Sequence, residues 1–369
     1  MAWGARDGRK TRAPKCGLSN LAPAPPSRLT LSPPPPQGLL TNDVTRLAAP
    51  AAPPLYAALL TPAGKVVADL HLSRADDGAP STSSPSSPSS SSAAAQPTLL
   101  ADVDADSAPA LLRLLAMYRL RAEVEVTDAS DEWGVWWWRG GGGGGGGGEV
   151  GALPPPPPSL RPLFRPDPRG LGGLGWRAVL PHSVAEAAGL SLSSTRGADA
   201  GASPAPAPAP APTPTPAPAL LRAARFRLGV AEGAELVGLM PLEAGLDGLA
   251  GIAFDKGCYV GQELVARTHF RGEVRKRVVG FEGCGEGVAL PEPGTALAVP
   301  GGGGAAPSAR PSRPAGTVLA ADPASGTGLA LVRTAAALPS GEMEVEGGGG
   351  GRVRLLAPPW WPAGWAAAG

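Results

Sequence analysis

The residues of this chain best suited to chemistry lie in one short segment, KGCYVGQE, which begins at Lys256. It places Cys258 between Gly257 and Gly261, and glycines allow the backbone to bend tightly around the thiol. Residues 262–268 then predict a short helix, so Cys258 comes just before a helix N-terminus. The dipole and the free N–H groups of such an end stabilise an anion, and Lys256 acts in the same direction. The segment therefore predicts either a reactive thiolate or a thiolate that ligates a metal.

The residues around this thiol each allow two interpretations. Tyr259, Gln262 and Glu263 either shape a site or satisfy buried backbone groups at the turn. Lys256 either promotes ionisation of the thiol or faces water. The basic run RTHFRGEVRKR at 267–277 is either a solvated surface or a contact for an anionic ligand or an acidic partner.

Outside this segment the composition mainly excludes classes of protein. With a net charge of +1, the chain as a whole has too little positive charge to attract nucleic acid or anionic membranes. No apolar run approaches the roughly 20 residues of a membrane-spanning helix. The three cysteines are widely spaced, and Cys16 and Cys284 have no partner at metal-ligand spacing. This usage is typical of a reducing compartment, and the three histidines are too dispersed to indicate a metal site of their own.

Glycine and proline are abundant, with 53 and 46 residues, and they concentrate in tracts. Such tracts cannot bury enough apolar surface to offset the entropy of ordering them. We therefore predict disordered insertions at about 77–97, 139–159, 191–219 and 301–314. The remaining sequence predicts a main α+β region at 37–277 and a C-terminal β domain at 278–359.

The first 36 residues are predicted to be a transit peptide or a disordered tail. Five basic residues and a single acid fall within the first fifteen positions. This basic, acid-poor composition is typical of an organelle transit peptide. The stretch just before residue 37 is rich in proline and does not predict a helix.

The remaining pattern predicts the elements that must position the cysteine. Two strands at 55–60 and 66–72 are joined by a turn with proline and glycine. A strand at 99–103, a helix capped by Ser107 and a strand at 122–127 follow. The tryptophans at 133 and 136–138 are either a stacking platform or the end of a strand. The C-terminal part predicts short strands of an antiparallel barrel or sandwich, at 274–281, 316–321, 328–334, 343–346 and 353–356.

KGCYVGQE followed by a basic stretch resembles the signature of the YgfZ-type folate-binding proteins, which are relatives of the glycine-cleavage aminomethyltransferase (GcvT). Seven further segments resemble the family in its order: QGLLTNDV, LLTPAGKVVADLHL, LLRLLAMYRLRAEVEV, DPRGLGGLGWR, RFRLGVAEG, PLEAGLDGL and ALVRT. The resemblance implies an α+β fold, the cloverleaf aminomethyltransferase-like folate-binding architecture, with a C-terminal antiparallel β-barrel.

The resemblance also implies a function in iron–sulfur cluster assembly, in particular the maturation of [4Fe-4S] proteins in the mitochondrial matrix or, alternatively, the plastid stroma. A single cysteine cannot hold a cluster, which needs about four protein ligands. Cys258 would therefore be a ligand shared with a scaffold or A-type carrier protein, or a reactive thiol. Tetrahydrofolate is the implied cofactor, with Asn42, Asp43, Asp69 and Arg267 as its binding residues. The alternatives are a folate-dependent one-carbon transferase and a tRNA-modification factor.

Two departures from the family pattern bear on these expectations. In the aminomethyltransferase a motif resembling GG-x-x-DD-L carries a catalytic aspartate, and alignment on Gly64 and Leu70 places Ala68 there and leaves only Asp69. This predicts that glycine-cleavage chemistry is absent. The family also begins with a strand and a helix, and the proline-rich stretch before residue 37 predicts that this first element is missing.

Overall fold

The computed structural model describes residues 27–32, 37–75, 98–118, 125–138, 155–190, 218–285, 289–300, 314–347 and 351–367. The predicted insertions fall almost entirely outside these ranges, as do most of the predicted transit peptide and Cys16. The described residues form two open sheets, a closed barrel and six helices. This is the α+β architecture with a C-terminal antiparallel barrel that the sequence predicts.

The first sheet has five strands in the order β2-β3-β4-β1-β5. They are β1 (Ser27–Ser32), β2 (Leu55–Leu60), β3 (Val66–Arg74), β4 (Leu99–Val103) and β5 (Glu125–Asp128). Helix α1 (Ala108–Tyr118) buries Leu111 and Leu115 in the core beneath this sheet. The predicted hairpin, the strand β4 and the helix are confirmed.

Strand β1 corrects two expectations. It lies inside the stretch 1–36 that we assigned to a transit peptide or disorder, and it is the first structural element that we expected to be missing. It pairs antiparallel with both β4 and β5, and Leu29 and Leu31 are almost fully buried. The alternation of SRLTLS is a strand pattern with one buried face, and the proline run next to it ends the strand without preventing it.

The second sheet, in the order β6-β8-β7, contains β6 (Trp133–Trp138), β7 (Arg165–Pro166) and β8 (Trp176–Pro181). Trp136 and Trp138 are buried in its core, and α2 (His182–Ala187) packs on one side. The tryptophans therefore belong to a strand, and the stacking platform is the interpretation that the structure contradicts. The sequence did not predict β7 or β8.

The segment between the sheets and the barrel carries the central core. Helix α3 (Pro218–Arg227) contacts barrel strands, and α4 (Gln262–Arg271) buries Val265. Between them the chain runs mostly in turns, yet its leucines at 236, 242, 246 and 249 are fully buried in one cluster. This cluster also includes Tyr56 of β2, so it joins the first sheet to α4.

The C-terminal strands close a barrel in the order β10-β11-β12-β9-β14-β13. They are β9 (Lys276–Gly283), β10 (Ala296–Ala298), β11 (Gly316–Asp322), β12 (Thr327–Arg333), β13 (Glu342–Val345) and β14 (Arg352–Leu356). Two short helices, α5 (Thr334–Ala337) and α6 (Ala363–Ala367), complete it. Closure leaves no exposed strand edge. β9 begins at Lys276, just before the boundary predicted at 277/278.

None of the helices in the described ranges is long and apolar enough to cross a membrane.

Candidate functional site

The loop before α4 places Cys258 at the surface with a free thiol. Helix α4 begins at Gln262, as predicted, and extends to Arg271. Its N-cap is Gly261, whose left-handed backbone (φ 81°) turns the chain into the helix. The thiol therefore lies in an exposed loop four residues before a helix start, which leaves it accessible to another molecule.

The two signature glycines differ in what they do. A Cβ on Gly261 would lie 2.6 Å from the carbonyl oxygen of Thr61, and the positive φ of this residue disfavours any side chain. A Cβ on Gly257 would meet nothing within 4 Å. The tight turn we expected on both sides of Cys258 is therefore required at Gly261 only.

Lys256 does not simply face water, because its ammonium is bonded to backbone carbonyls. Its ammonium donates hydrogen bonds to the carbonyl oxygens of Gln37, Leu40 and Asn42 at 2.5, 2.6 and 3.0 Å. It also lies 5.2 Å from the ring centre of Tyr259. Burial lowers the pKa of Lys256 to about 8. Its three N–H donors are all used by carbonyls, so the residue fastens the signature loop to the 37–42 loop.

The other signature side chains mostly support this turn. The amide oxygen of Gln262 accepts from the backbone N–H of Tyr259 at 3.3 Å, which is the backbone-satisfying interpretation. Tyr259 is buried, and burial raises its pKa to about 12. Glu263 is 90% exposed and lies 4.0 Å from the guanidinium of Arg267 one turn later. Arg267 therefore sits on the outer face of α4, away from the buried polar groups.

Asn42 and Asp43 act mainly in the fold. The amide of Asn42 is buried and donates to the carbonyls of Tyr56 and Ala250 at 2.8 and 2.7 Å. Asp43 caps a 3-10 helix (Val44–Leu47), and hydrogen bonds from Thr45 lower the pKa of this carboxyl. The carbonyl of Asn42 accepts from Lys256, and the Asp43 carboxylate lies near the same ammonium.

A second polar centre, which the sequence did not predict as a unit, surrounds Asp69. Its carboxylate is buried and accepts from the Tyr56 hydroxyl at 3.0 Å and from the backbone N–H of Gly233 at 2.9 Å. Burial and the nearby charge of Glu232 raise the pKa of Asp69 to about 6. Asp69 is therefore a buried carboxyl that changes protonation not far below neutral pH.

Arg169 balances the acids of this centre. Its fully buried guanidinium contacts Asp167 at 2.8 Å and Glu232 at 2.7 Å. Burial alone would raise the pKa of both carboxyls, but the arginine charge lowers it well below the ordinary range. Arg177 and Arg225 add two further contacts to Glu232, each at 3.5 Å. Asp167 and Glu232 therefore stay charged in mildly acidic solution, whereas Asp69, with its pKa raised to about 6, becomes protonated there.

A small open pocket, with a cavity volume of about 40 Å³, lies between β3 and β8. Its charged lining is entirely basic: Arg74, Arg165 and Arg177. His71, which projects from the same face of β3 as Asp69, also lines it. The Nε2 of His71 and the Nε of Arg177 are buried and make no hydrogen bond within the described residues. Buried polar atoms without partners mark a place where a ligand or water completes the bonding.

The position of Ala68 corrects our argument about catalysis. Ala68 and Leu70 point from β3 into the apolar core under the first sheet, whereas Asp69 points to the opposite face. A carboxylate at position 68 would not reach the polar centre, and the one at 69 does. The alanine therefore does not by itself remove the central carboxylate.

Most of this polar centre was missed because its members come from distant parts of the chain. Asp167 and Arg169 lie in the family-like segment DPRG, and Glu232 and Arg225 flank α3's C-terminal end. The one local signal was the alternation of Asp69, His71 and Ser73 on β3, a polar row on one strand face.

Among the described residues, no group of three histidines, cysteines or acids could hold a metal ion. Cys284, in the turn after β9, is a second free cysteine and is half-buried. A cluster bound at Cys258 would need further ligands from outside the described residues.

Comparison with known proteins finds one match for the barrel and another for about two thirds of the chain. Residues 275–363 match the family model described as the CAF17 C-terminal beta-barrel domain. The chain is 29% identical over 251 residues to "Iron-sulfur cluster assembly factor IBA57 homolog, mitochondrial" of Mycosarcoma maydis, covering 66% of this chain and 51% of that protein. The Neurospora crassa protein of the same name is 53% identical over 58 residues, 15% of this chain and 13% of that protein. The chain thus spans about half the length, or less, of these curated relatives.

A solved structure shares the fold. It is the glycine cleavage system aminomethyltransferase T from Bartonella henselae, with a TM-score of 0.52 and 14% sequence identity, covering 91% of this chain and 84% of that one. The structural match confirms the aminomethyltransferase-like architecture. Together with the barrel and the IBA57 homologues, it confirms the resemblance to the YgfZ/GcvT-type proteins that is seen in the sequence.

Proposed function

We propose that this protein is an iron–sulfur cluster assembly factor that helps to mature [4Fe-4S] proteins. The observation that carries the proposal is the exposed, free thiol of Cys258 on a loop that Lys256 and Gly261 hold in place. The names of the curated relatives support the assembly role. The cluster is the cargo of this reaction and not a resident group.

The chemistry required of Cys258 is that of a soft ligand. A thiolate suits iron–sulfur species, and an exposed loop lets a second protein approach it. Because about four ligands are needed, the partner supplies the others. The partner we propose is a scaffold or an A-type carrier, and the thiol acts either as a shared ligand or as the group that receives the cluster.

The proposed location is the mitochondrial matrix. The relatives are named mitochondrial, in agreement with the basic, acid-poor first residues. The segment 1–26 itself lies outside the described residues.

Tetrahydrofolate is the proposed ligand of the pocket beside β3. The lining fits this group in chemistry, because folate brings ring nitrogens and tail carboxylates that polar and basic side chains can bind. His71 and Arg177 have unused polar atoms for the ring, and the partly exposed Arg165 is a cation for the tail. When bound, folate supplies a carrier of one-carbon units. The four residues that we expected to bind it, Asn42, Asp43, Asp69 and Arg267, do not line this pocket.

The test is anaerobic reconstitution with an A-type carrier, read by the visible absorbance of the cluster. Cys258→Ser should abolish cluster retention on the complex and fail to complement cells that lack their own factor, because a serine hydroxyl is not ionised near neutral pH. Cys284→Ser is the matched control and should behave as the native chain. Full complementation by Cys258→Ser would refute the assignment.

A second candidate function is a folate-dependent one-carbon transferase, and one observation favours it. Asp69 is a buried carboxyl with its pKa raised to about 6, which is a range suited to general acid–base chemistry. Transfer of a one-carbon unit from an aminomethyl donor to tetrahydrofolate, lost in Asp69→Asn, would establish this function. Absence of turnover in the native chain would refute the transferase function and leave the assembly role as the remaining candidate.

A further inference from the structure

The last two turns of α4 carry an exposed aromatic cluster. Phe270 is 67% exposed. Its ring meets that of His269 edge-on at 4.8 Å and that of Phe254 at 6.0 Å. The imidazole of His269 stacks on Phe254 at 3.8 Å with the planes 17° apart. The packing of His269 on Phe254 fixes the end of α4, so the Phe270 ring is held in a solvent-exposed position.

This cluster is continuous with the loop that carries the thiol. Phe254 is half-buried against the central core, and Cys258 follows it by four residues in the same exposed loop. Because His269 stacks on Phe254, the end of α4 and the start of this loop lie side by side. A molecule that covers Phe270 therefore lies next to the loop of Cys258.

The segment of chain around Phe270 is basic, and the acids next to the cluster, Asp247 and Asp255, are paired with arginines. Between positions 262 and 276 there are four arginines or lysines and two acids. Glu263 is near Arg267 at 4.0 Å, and Glu273 contacts Arg275 at 3.4 Å. Arg271 is exposed, directly follows Phe270, and makes no ion pair among the described residues. An exposed aromatic ring next to an unpaired arginine is a combination enriched at the centres of protein interfaces.

We propose that the end of α4, with Phe270 and Arg271 at its centre, is the docking surface for an acidic face of the cluster-bearing partner protein. The proposal rests on the proposed function of Cys258, since it names where the partner sits while the thiol is used. Phe270 fills an apolar depression on the partner, and Arg271 pairs with a carboxylate beside it. The acids Glu263 and Glu273 among these basic residues and the net charge of +1 favour a protein over a nucleic acid.

The test measures binding of the full chain to an apo A-type carrier by titration calorimetry at low and at physiological salt. Phe270→Asp and Arg271→Glu should each weaken binding about tenfold or more, as at interface hot spots. The weakening by Arg271→Glu should shrink as salt rises, since screening acts on an exposed pair. Met117→Asp and Arg113→Glu on α1 are matched controls, because Met117 is 63% exposed and Arg113 is exposed. Both should bind as the native chain does.

Cys258→Ser separates this proposal from the proposed function. It should lose the cluster but still bind the apo carrier, because docking does not need the thiol. Native-like binding by Phe270→Asp and Arg271→Glu overturns the docking surface and leaves the role of Cys258 standing. No binding of the native chain to the carrier also overturns it. Binding of transfer RNA or anionic vesicles that is lost in Arg271→Glu, with no effect on carrier binding, overturns the choice of partner.

Discussion

Gly64 and Gly261 pack against each other so closely that neither has room for a side chain. A Cβ on Gly261 would lie 3.0 Å from the Cα of Gly64, and a Cβ on Gly64 would lie 3.1 Å from the carbonyl oxygen of Gly261. Both residues have positive φ angles, 73° and 81°. The turn of the β2–β3 hairpin is thereby seated on the first turn of α4, which fixes the loop of Cys258 relative to the first sheet.

Gly261→Ala should destabilise the fold by more than about 1 kcal/mol, because alanine is strained at positive φ and its methyl group meets backbone atoms. Gly257→Ala should change the free energy of unfolding by less than about 0.5 kcal/mol, since that position is open. Urea unfolding of the two variants against the native chain measures both effects. Equal losses at the two positions would contradict this account of the turn.

Lys256→Met should loosen the signature loop, because the carbonyl oxygens of Gln37, Leu40 and Asn42 lose their shared donor. Water can replace part of this bonding, so we expect a loss of about 1–3 kcal/mol, as for hydrogen bonds to a charged group. Lys276→Met removes an exposed lysine and is the control. Thermal unfolding gives the stability, and the rate at which a thiol reagent modifies Cys258 reports on the loop. A variant with native stability and an unchanged thiol rate would show that Lys256 is not the fastening residue.

Arg169→Met should be among the most harmful single substitutions in the described chain. It leaves the carboxylates of Asp167 and Glu232 buried without the cation that holds them charged, and loss of one partner of a buried ion pair costs about 3–5 kcal/mol. Arg352→Met removes an exposed contact to Glu344, worth at most about 1 kcal/mol. Denaturant unfolding compares the two. A loss below 1 kcal/mol for Arg169→Met would mean that the centre rearranges or hydrates.

The features that could be predicted from sequence are the local ones. The hairpin, α4 and the barrel strands each follow from a short hydrophobic period with turn residues at its ends. The signature also predicted that Cys258 comes just before the start of a helix. β10 was missed because its three residues are too short to show a period, and β1 because the proline run next to it masked a clear alternation.

The central charged centre could not be derived in the same way. Asp69, Arg169 and Glu232 are separated by 100 and 63 positions, and each alone has the pattern of a surface residue. Only tertiary packing makes them one unit. The role of Lys256 was missed for a related reason, because its three acceptors are backbone carbonyls more than 200 positions earlier in the chain. Side-chain types do not reveal such acceptors.

Asp69→Asn should change how stability depends on pH. The pKa of Asp69 is about 6 in the folded protein and near 3.8 in a free chain, so the folded state binds more protons between these values. The stabilisation from protonated Asp69 is complete below about pH 4 and is lost as the pH rises through about 6. Asparagine does not titrate. The stability of Asp69→Asn relative to the native chain should therefore rise between about pH 4 and pH 6, by on the order of 1–3 kcal/mol. Glu232 stays charged throughout, because its pKa lies well below the ordinary value.

Urea unfolding of the native chain and Asp69→Asn at pH 4, 5, 6 and 7 measures this difference. Tyr56→Phe is the matched variant, because it removes the hydroxyl that donates to Asp69 but keeps the titrating carboxyl. That hydrogen bond favours the charged form, so its loss should extend the pH dependence to higher pH. Stability curves of the native chain and Asp69→Asn that run parallel from pH 4 to 7 would show that the Asp69 carboxyl titrates alike in the folded and unfolded states, and a general acid–base role at this position would lose its support.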